Sequence, residues 1–480
     1  MTRAFLLALV ILGPALAPGR AAAQDTPAAP ASALAPAPAF APVGAPAPVA
    51  APVESAALSR LDAVKAALAV NPDAVKARED LRSLEGRILE VRADALPDVS
   101  FRATGTRYRD PSFLNSSSFD NFPPDLLDSL KPIPANLFDV GAEVKQTLYS
   151  FKVGRALKVA KIARRLGDED ARRVRQAVAL DAVRAYNTLL LTLEYVRVNQ
   201  TSLAQKEEHL KSVRNRRQAG VATDLDVLRS EVDVENQRAQ FVRAQGRVDL
   251  ARATLNAAMV RPIDAPIEPT DTLDTAPLSE SLDQALAAAI GGRPEIKSAK
   301  LSEQAREQAV GVEQAERKPH FDFNGAFGYS VRQPKNLFHY DYSKWTFGVT
   351  ATVPVFDGGR AAGRVAQARA EQAKAAQDVV AAENQVRLQT KDAFDRMHVA
   401  SRLLSAADLN IGQARRALDM TQANYGLGAA TLLDVTDAQA ALNEAERVRV
   451  DALHEQADAR ATLRYAMGLD PVDGLAGGQP

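Results

Sequence analysis

The chain has no cysteine, which excludes disulfides, thiolate metal sites, a cysteine nucleophile and a lipid-modified amino-terminal cysteine together. It has no excess of either charge, because 59 Lys and Arg face 59 Asp and Glu. That balance argues against nucleic-acid binding driven by net charge. Aromatic residues make up only 5% of the 480. A chain this poor in rings and this rich in alanine favours long, closely packed helices over a bulky globular core. No apolar run reaches the roughly 18 residues of a membrane-spanning helix. The five histidines (His209, His320, His339, His398, His454) show no HExxH spacing. His320 and His339 could approach each other across a hairpin, but two ligands without a third make a poor metal site. There is no GxxxxGK[ST], and Gly426-Leu427-Gly428 is too short for a dinucleotide loop. We therefore expect no catalysis, no cofactor, no metal and no nucleic acid.

What is present starts with Arg3 and the short apolar run Phe5 to Leu12, followed by Ala21-Ala22-Ala23 before Gln24. This reads as a secretory signal peptide over 1–23. Residues 24–53 are Ala/Pro low complexity, an extended linker. The remainder writes one architecture twice. Gly220-Val221-Ala222-Thr223-Asp224-Leu225-Asp226-Val227 is echoed by Gly428-Ala429-Ala430-Thr431-Leu432-Leu433-Asp434-Val435, and Ala258-Met259 by Ala466-Met467. We read repeat 1 over 54–260, an inter-repeat linker over 261–278, repeat 2 over 279–469 and a C-terminal tail over 470–480. Each repeat runs helix, β-hairpin, very long helix, tight turn, helix.

The strands alternate with period two. Phe321, Phe323, Gly325, Phe327 and Tyr329 interleave with His320, Asp322, Asn324, Ala326, Gly328 and Ser330. Trp345, Phe347, Val349, Ala351, Val353 and Val355 interleave with Thr346, Gly348, Thr350, Thr352 and Pro354. The first repeat carries a fainter version: Val99, Phe101 and Ala103, then Val140, Ala142, Val144 and Leu148, interrupted by Gln146. Such strands fit either a lipid-facing barrel wall or a soluble sheet on a core. The helices favour the first. From Arg360 to about Tyr425 there is no proline, and Ala393, Met397, Ala400, Leu404, Ala407, Ile411, Ala414 and Leu418 recur at spacings of four and three. That is a coiled-coil seam, on a helix about 100 Å long. Arg155 to about Arg217 is similar, and each long helix returns as a second one (224–259, 431–467). The result is a long antiparallel rod with four strands at one end. Four strands cannot close a barrel, and open edges are not tolerated in hydrocarbon. Three chains would pool twelve.

Val353-Pro354-Val355-Phe356-Asp357-Gly358-Gly359-Arg360 resembles the passage by which TolC-like outer-membrane efflux proteins enter a long helix from their second hairpin. The stretches from Gly220 and Gly428 resemble that family's helix-turn tips, and the resemblance covers roughly 54–469. It implies an α+β membrane protein: a homotrimer with a 12-stranded β-barrel in outer-membrane lipid and a long α-helical barrel in the periplasm. It also implies a periplasmic adaptor and an inner-membrane pump of RND or ABC type as partners, in efflux or type I secretion. A soluble periplasmic coiled-coil scaffold or adaptor is the alternative that the rods alone allow.

Candidate residues follow. Phe321, Phe323, Phe327, Trp345, Phe347 and Val349 form the lipid-facing strand surface, while Thr346, Thr350, Thr352, Asn324 and Ser330 face the lumen. Pro354, Phe356, Asp357, Gly358 and Gly359 make the strand-to-helix turn. Thr223 with Asp226, and Thr431 with Asp434, have capping-box spacing. Gly220 and Gly428 suit helix C-caps, and with Thr223 and Thr431 they mark the tips where an adaptor would dock. The resemblance implies that Asp434 and Asp437, on one helix face, form acidic rings at a periplasmic aperture. It further implies that Asp226 contacts Tyr425 to hold the tip closed, although Ala430 stands where the family has a basic partner.

Overall fold

The computed structural model describes residues 56–110, 123, 133–273 and 280–472, all within one unit, Val53–Pro480. The expected signal peptide and Ala/Pro-rich linker lie outside the described residues, as do 274–279 of the inter-repeat linker and 473–480 of the tail.

Each hairpin is preceded by two helices rather than the single one expected. Helix α1 (Arg60–Val70) is capped by Ser59, whose hydroxyl accepts from the Asp62 N–H. It stops at Asn71 because Pro72 follows. Proline removes an N–H and pushes its predecessor out of the helical region, yet suits the first position of a new helix. Helix α2 (Pro72–Ala93) starts there, with the Asn71 side chain accepting from Asp73. Pro294 divides α5 (Leu282–Gly292) from α6 (Pro294–Ala315) in the same way.

The long helices fall where the sequence placed them. Helix α3 (Phe151–Gln218) has 68 residues, and its return α4 covers Asp224–Ala258. Helix α7 (Arg360–Gly426) has 67 residues, with α8 (Leu432–Ala466) returning along it. On α7, Ala393, Met397, Ala400, Ala407 and Leu418 are buried, and Leu404, Ile411 and Ala414 are half-buried. The seam is real: α7 packs along α8 and against α6 and α5, while α3 packs against α4, α6, α2, α8 and α1. The main core lies midway along α3, where Val183, Tyr186 and Leu189 meet Val64 and Ala67 of α1 and Leu255 of α4.

The sequence reading missed a short parallel pair, β1 (Ala56–Leu58) at the start of repeat 1 with β4 (Ile267–Pro269) inside the inter-repeat linker. Tyr186 ties it down. Its fully buried hydroxyl donates to the Leu58 carbonyl at 2.8 Å and accepts from the Asp271 N–H at 3.3 Å.

The remaining strands are β2 (Asp98–Tyr108), β3 (Ala135–Ser150), β5 (His320–Val331) and β6 (Ser343–Thr352). They form one antiparallel sheet in the order β2-β3-β5-β6, so the two hairpins join through β3 and β5. Gly141 and Gly328 are opposite each other at that junction, and a Cβ on Gly328 would come within 2.5 Å of the Val140 carbonyl oxygen. Only glycine fits this approach.

Candidate functional site

The register sorts the sheet into two chemically distinct faces. Residues directly opposite in antiparallel strands share a face. Val99, Phe101 and Ala103 pair with Val144, Ala142 and Val140, which pair in turn with Gly325, Phe327 and Tyr329. Phe323 then pairs with Val349, Gly325 with Phe347 and Phe327 with Trp345. One apolar face runs across all four strands, interrupted on β3 by Gln146 opposite Phe323. The other carries Arg102, Thr104, Asp139, Glu143, Asn324, Ser330, Lys344, Thr346 and Thr350. On it, Lys344 reaches across the Gly328 position to donate to Asp139 at 2.6 Å.

The apolar face is not covered by the chain's own helices. Every residue of β2 is exposed, as is every residue of β6 but its first. Phe101 is 73% exposed, Trp345 67% and Val349 60%. A soluble protein would bury such a face. Gln146, which broke the apolar pattern, sits near the helix end of β3 beside a register shift at Thr147/Tyr149. Its amide donates to the Ala95 carbonyl at 2.8 Å, closing the turn out of α2. The two hairpin histidines stay apart: His320 opens β5 and His339 lies in the loop beyond it, beside Asp322 and Asp341 respectively. Among the described residues no group of acidic and histidine side chains could hold a metal.

The turn from sheet to α7 is an anion-capped helix start. Strand β6 stops at Thr352, so Pro354 falls past the last ladder bond, and Phe356 is 91% exposed. Gly358 and Gly359 have φ of 66° and 85°, which side-chain-bearing residues rarely adopt. The Asp357 carboxylate accepts from the Gly359 and Ala361 N–H groups at 2.9 and 2.8 Å. These bonds, chiefly the one from Ala361, hold its pKa below the ordinary carboxylate value.

The opposite ends of the long helices carry the second candidate site. Both tips are built alike. Gly220 (φ 78°) and Gly428 (φ 76°) turn the chain with the paired bonds of a Schellman motif, Val221 N–H to Arg216 O and Ala429 N–H to Asn424 O. A Cβ on either glycine would meet nothing within 4 Å. Thr223 and Thr431 then open the return helices with complete capping boxes. Asp226 accepts from the Thr223 N–H at 2.9 Å, and Asp434 from the Thr431 N–H at 2.7 Å. Those bonds lower both carboxylate pKa values, through the Thr223 backbone first in one case and the Thr431 hydroxyl first in the other. Asp437 lies three residues beyond Asp434 on the same exposed face.

The contact between Asp226 and Tyr425 is not made within the chain. Asp226 is committed to its cap, and Tyr425 is engaged from α3 instead. The Arg216 guanidinium sits 4.2 Å from the Tyr425 ring centroid and donates to the Tyr425 carbonyl at 3.4 Å. Asp224 pairs with Arg217 at 2.5 Å. Between the two helical hairpins, just short of the tips, lies a cleft of about 1290 Å³ lined by all four helices, including His209, Arg216, Asp233, Asp419, Tyr425 and Asp437.

This chain is similar to known proteins in sequence and in fold. A profile of the Outer membrane efflux protein family matches residues 63–260 and 285–469. The outer membrane protein OprJ of Pseudomonas aeruginosa is 27% identical over 414 residues, covering 82% of each chain. The outer membrane protein TolC of Vibrio cholerae is 22% identical, over 70% of this chain and 78% of its own. Among solved structures, the outer membrane protein VceC of Vibrio cholerae matches with a TM-score of 0.72 at 19% identity, over 86% of this chain and 97% of that one. The extent of the profile match, over both halves, decides against the soluble scaffold. This chain belongs to the outer membrane efflux protein family, and is an outer-membrane channel rather than an enzyme.

Proposed function

We propose that three copies of this chain form the exit duct of a tripartite efflux or type I secretion system. The carrying observation is the four-stranded sheet with one bare apolar face and, among the described residues, two unpaired outer edges, β2 and β6. An open edge in hydrocarbon leaves a row of unsatisfied peptide groups, each costing several kcal/mol. Joining β6 of one copy to β2 of the next satisfies them, and three copies close a twelve-stranded barrel. Its apolar face then meets lipid, and Thr346, Thr350, Asn324 and Ser330 wet the lumen. Helices α3, α4, α7 and α8 of each copy would build the periplasmic tunnel, twelve in all. The twofold order of elements supports two tandem repeats, over 54–260 and 279–469.

The conducting path narrows at the tips. Asp434 and Asp437 would be brought around the threefold axis, where six carboxylates make a cation-binding constriction. Within one chain the cap lowers the Asp434 pKa, which favours the ionised form that such a constriction needs. The open space around Gly220 and Gly428, with Thr223 and Thr431 beside them, suits the approach of a periplasmic adaptor's helices, with an inner-membrane pump beyond. The test is reconstitution: purified protein added to a planar lipid bilayer should give discrete, cation-blockable conductance steps. Protein that leaves the bilayer silent would reject the duct.

A further inference from the structure

We propose that Lys318, seated on the Phe151 ring where the apolar sheet face meets the helices, binds the phosphate of an anionic phospholipid, one lipid per chain. The inference rests on reading that face as the one that meets lipid.

The register and two ring contacts place the amino group. Beyond the shift at Thr147/Tyr149, Tyr149 of β3 pairs with Phe321 of β5, so both stand on the apolar face. Tyr149 meets Phe151, the first residue of α3, edge to face with ring centroids 5.1 Å apart. The Lys318 Nζ then lies 4.4 Å from the Phe151 ring centroid. Phe321, Tyr149, Phe151 and Lys318 thus form one descending stack, apolar above and cationic at its foot. That is the order of acyl chain, interface and headgroup in a bilayer leaflet. Strands β3 and β5 are the inner pair of the sheet, so the stack lies away from the edges where copies would join.

The charge at that foot is not spent inside the chain. Glu316, the nearest acid in sequence, accepts from Lys152 at 2.9 Å and also from Arg364. Asp357 is committed to the Gly359 and Ala361 N–H groups. Among the described residues no carboxylate pairs with Lys318, whose ammonium keeps N–H donors available after one side has settled on the ring. Nor does the fold need a lysine there, because the first repeat builds the same turn with leucine. Lys318 and Leu96 each precede a proline, Pro319 and Pro97, and their N–H groups donate to the Ala315 and Ala93 carbonyls at 3.0 and 2.9 Å. A turn that closes equally well on leucine leaves the lysine to serve something outside the chain.

That pair of turns supplies the test, because Lys318→Leu removes the charge and keeps the turn. Native mass spectrometry of full-length protein in mild detergent, with phosphatidylglycerol or phosphatidylcholine added, counts the lipids each particle retains. Wild-type protein should hold phosphatidylglycerol in preference, one per chain at saturation. Lys318→Leu should weaken that binding about fivefold, the contribution of one basic group at an anionic surface, with phosphatidylcholine unaffected. Lys318→Arg should restore it. Equal phosphatidylglycerol binding by wild type and Lys318→Leu overturns the site, as does displacement of the lipid by millimolar inorganic phosphate, which would make it a site for free anions. Both lipids held without preference would also overturn the site, and leave the lipid-facing reading intact. Wild-type protein that retains neither lipid would reject that reading as well.

Discussion

In the proposed barrel the two faces of the sheet meet opposite solvents, and Val349→Arg against Thr350→Arg tests this with the least disturbance elsewhere. Val349 pairs with Phe323 on the apolar face, and Thr350 pairs with Asp322 on the polar one. Strand β6 has 10 residues. At about 3.4 Å per residue and a tilt near 45°, Val349 lies about 4 Å from the strand's midpoint along the membrane normal. It is therefore close to the bilayer centre, where an arginine on the lipid face costs about 2–4 kcal/mol. Three symmetric copies bring the total to roughly 6–12 kcal/mol, comparable with the whole stability of a typical domain. Thr350→Arg instead places its guanidinium on the lumen side with Asp322 opposite, at little cost. Heat-resistant oligomers in isolated outer membranes, resolved by electrophoresis without boiling, should be lost for Val349→Arg and retained for Thr350→Arg. The reverse pattern would mean that the faces are inverted. Equal, normal assembly of both would mean that neither face meets lipid.

Three further outcomes are expected. Asp434→Ala with Asp437→Ala should raise single-channel conductance and weaken block by divalent cations, and unchanged block would remove both from the constriction. Tyr186→Phe leaves the Leu58 carbonyl and Asp271 N–H without their shared partner, so thermal unfolding in detergent should show a loss of about 1–3 kcal/mol, with faster amide exchange confined to β1 and β4. Because the caps depress the pKa of Asp226 and Asp434, the stability they add is present above the ordinary aspartate value near 3.9 and lost only as pH falls through and below it. Amide protection factors at the starts of α4 and α8, corrected for the intrinsic pH dependence of exchange, should accordingly stay constant from pH 7 to 5.

Much of this architecture is readable in the residues, because local periodicity carries it. The seam from Ala393 to Leu418 and the alternation from Phe321 to Tyr329 are short-range patterns that packing obeys. Their bounds came out within a few residues because capping Thr and turn Gly residues mark the ends of the helices. The split at Asn71-Pro72 is also legible in the sequence, because Pro72 ends one helix and suits the first position of the next. What could not be read is tertiary. A three-residue strand such as β4 has no period to detect, and its partner β1 lies about 210 residues earlier. The Tyr186 hydroxyl, the Gln146 tie to Ala95 and the seat of Arg216 on Tyr425 each depend on which helices become neighbours. The tip carboxylates show the same division: Thr-x-x-Asp spacing foretold the caps, while the partner of Tyr425 came from another helix.

The number of chains in one particle decides most directly whether the strands are shared. Native mass spectrometry of detergent-purified protein should give three chains per particle, surviving removal of the detergent shell. A folded single chain, stable in plain buffer with its apolar sheet face protected from exchange, would contradict the account.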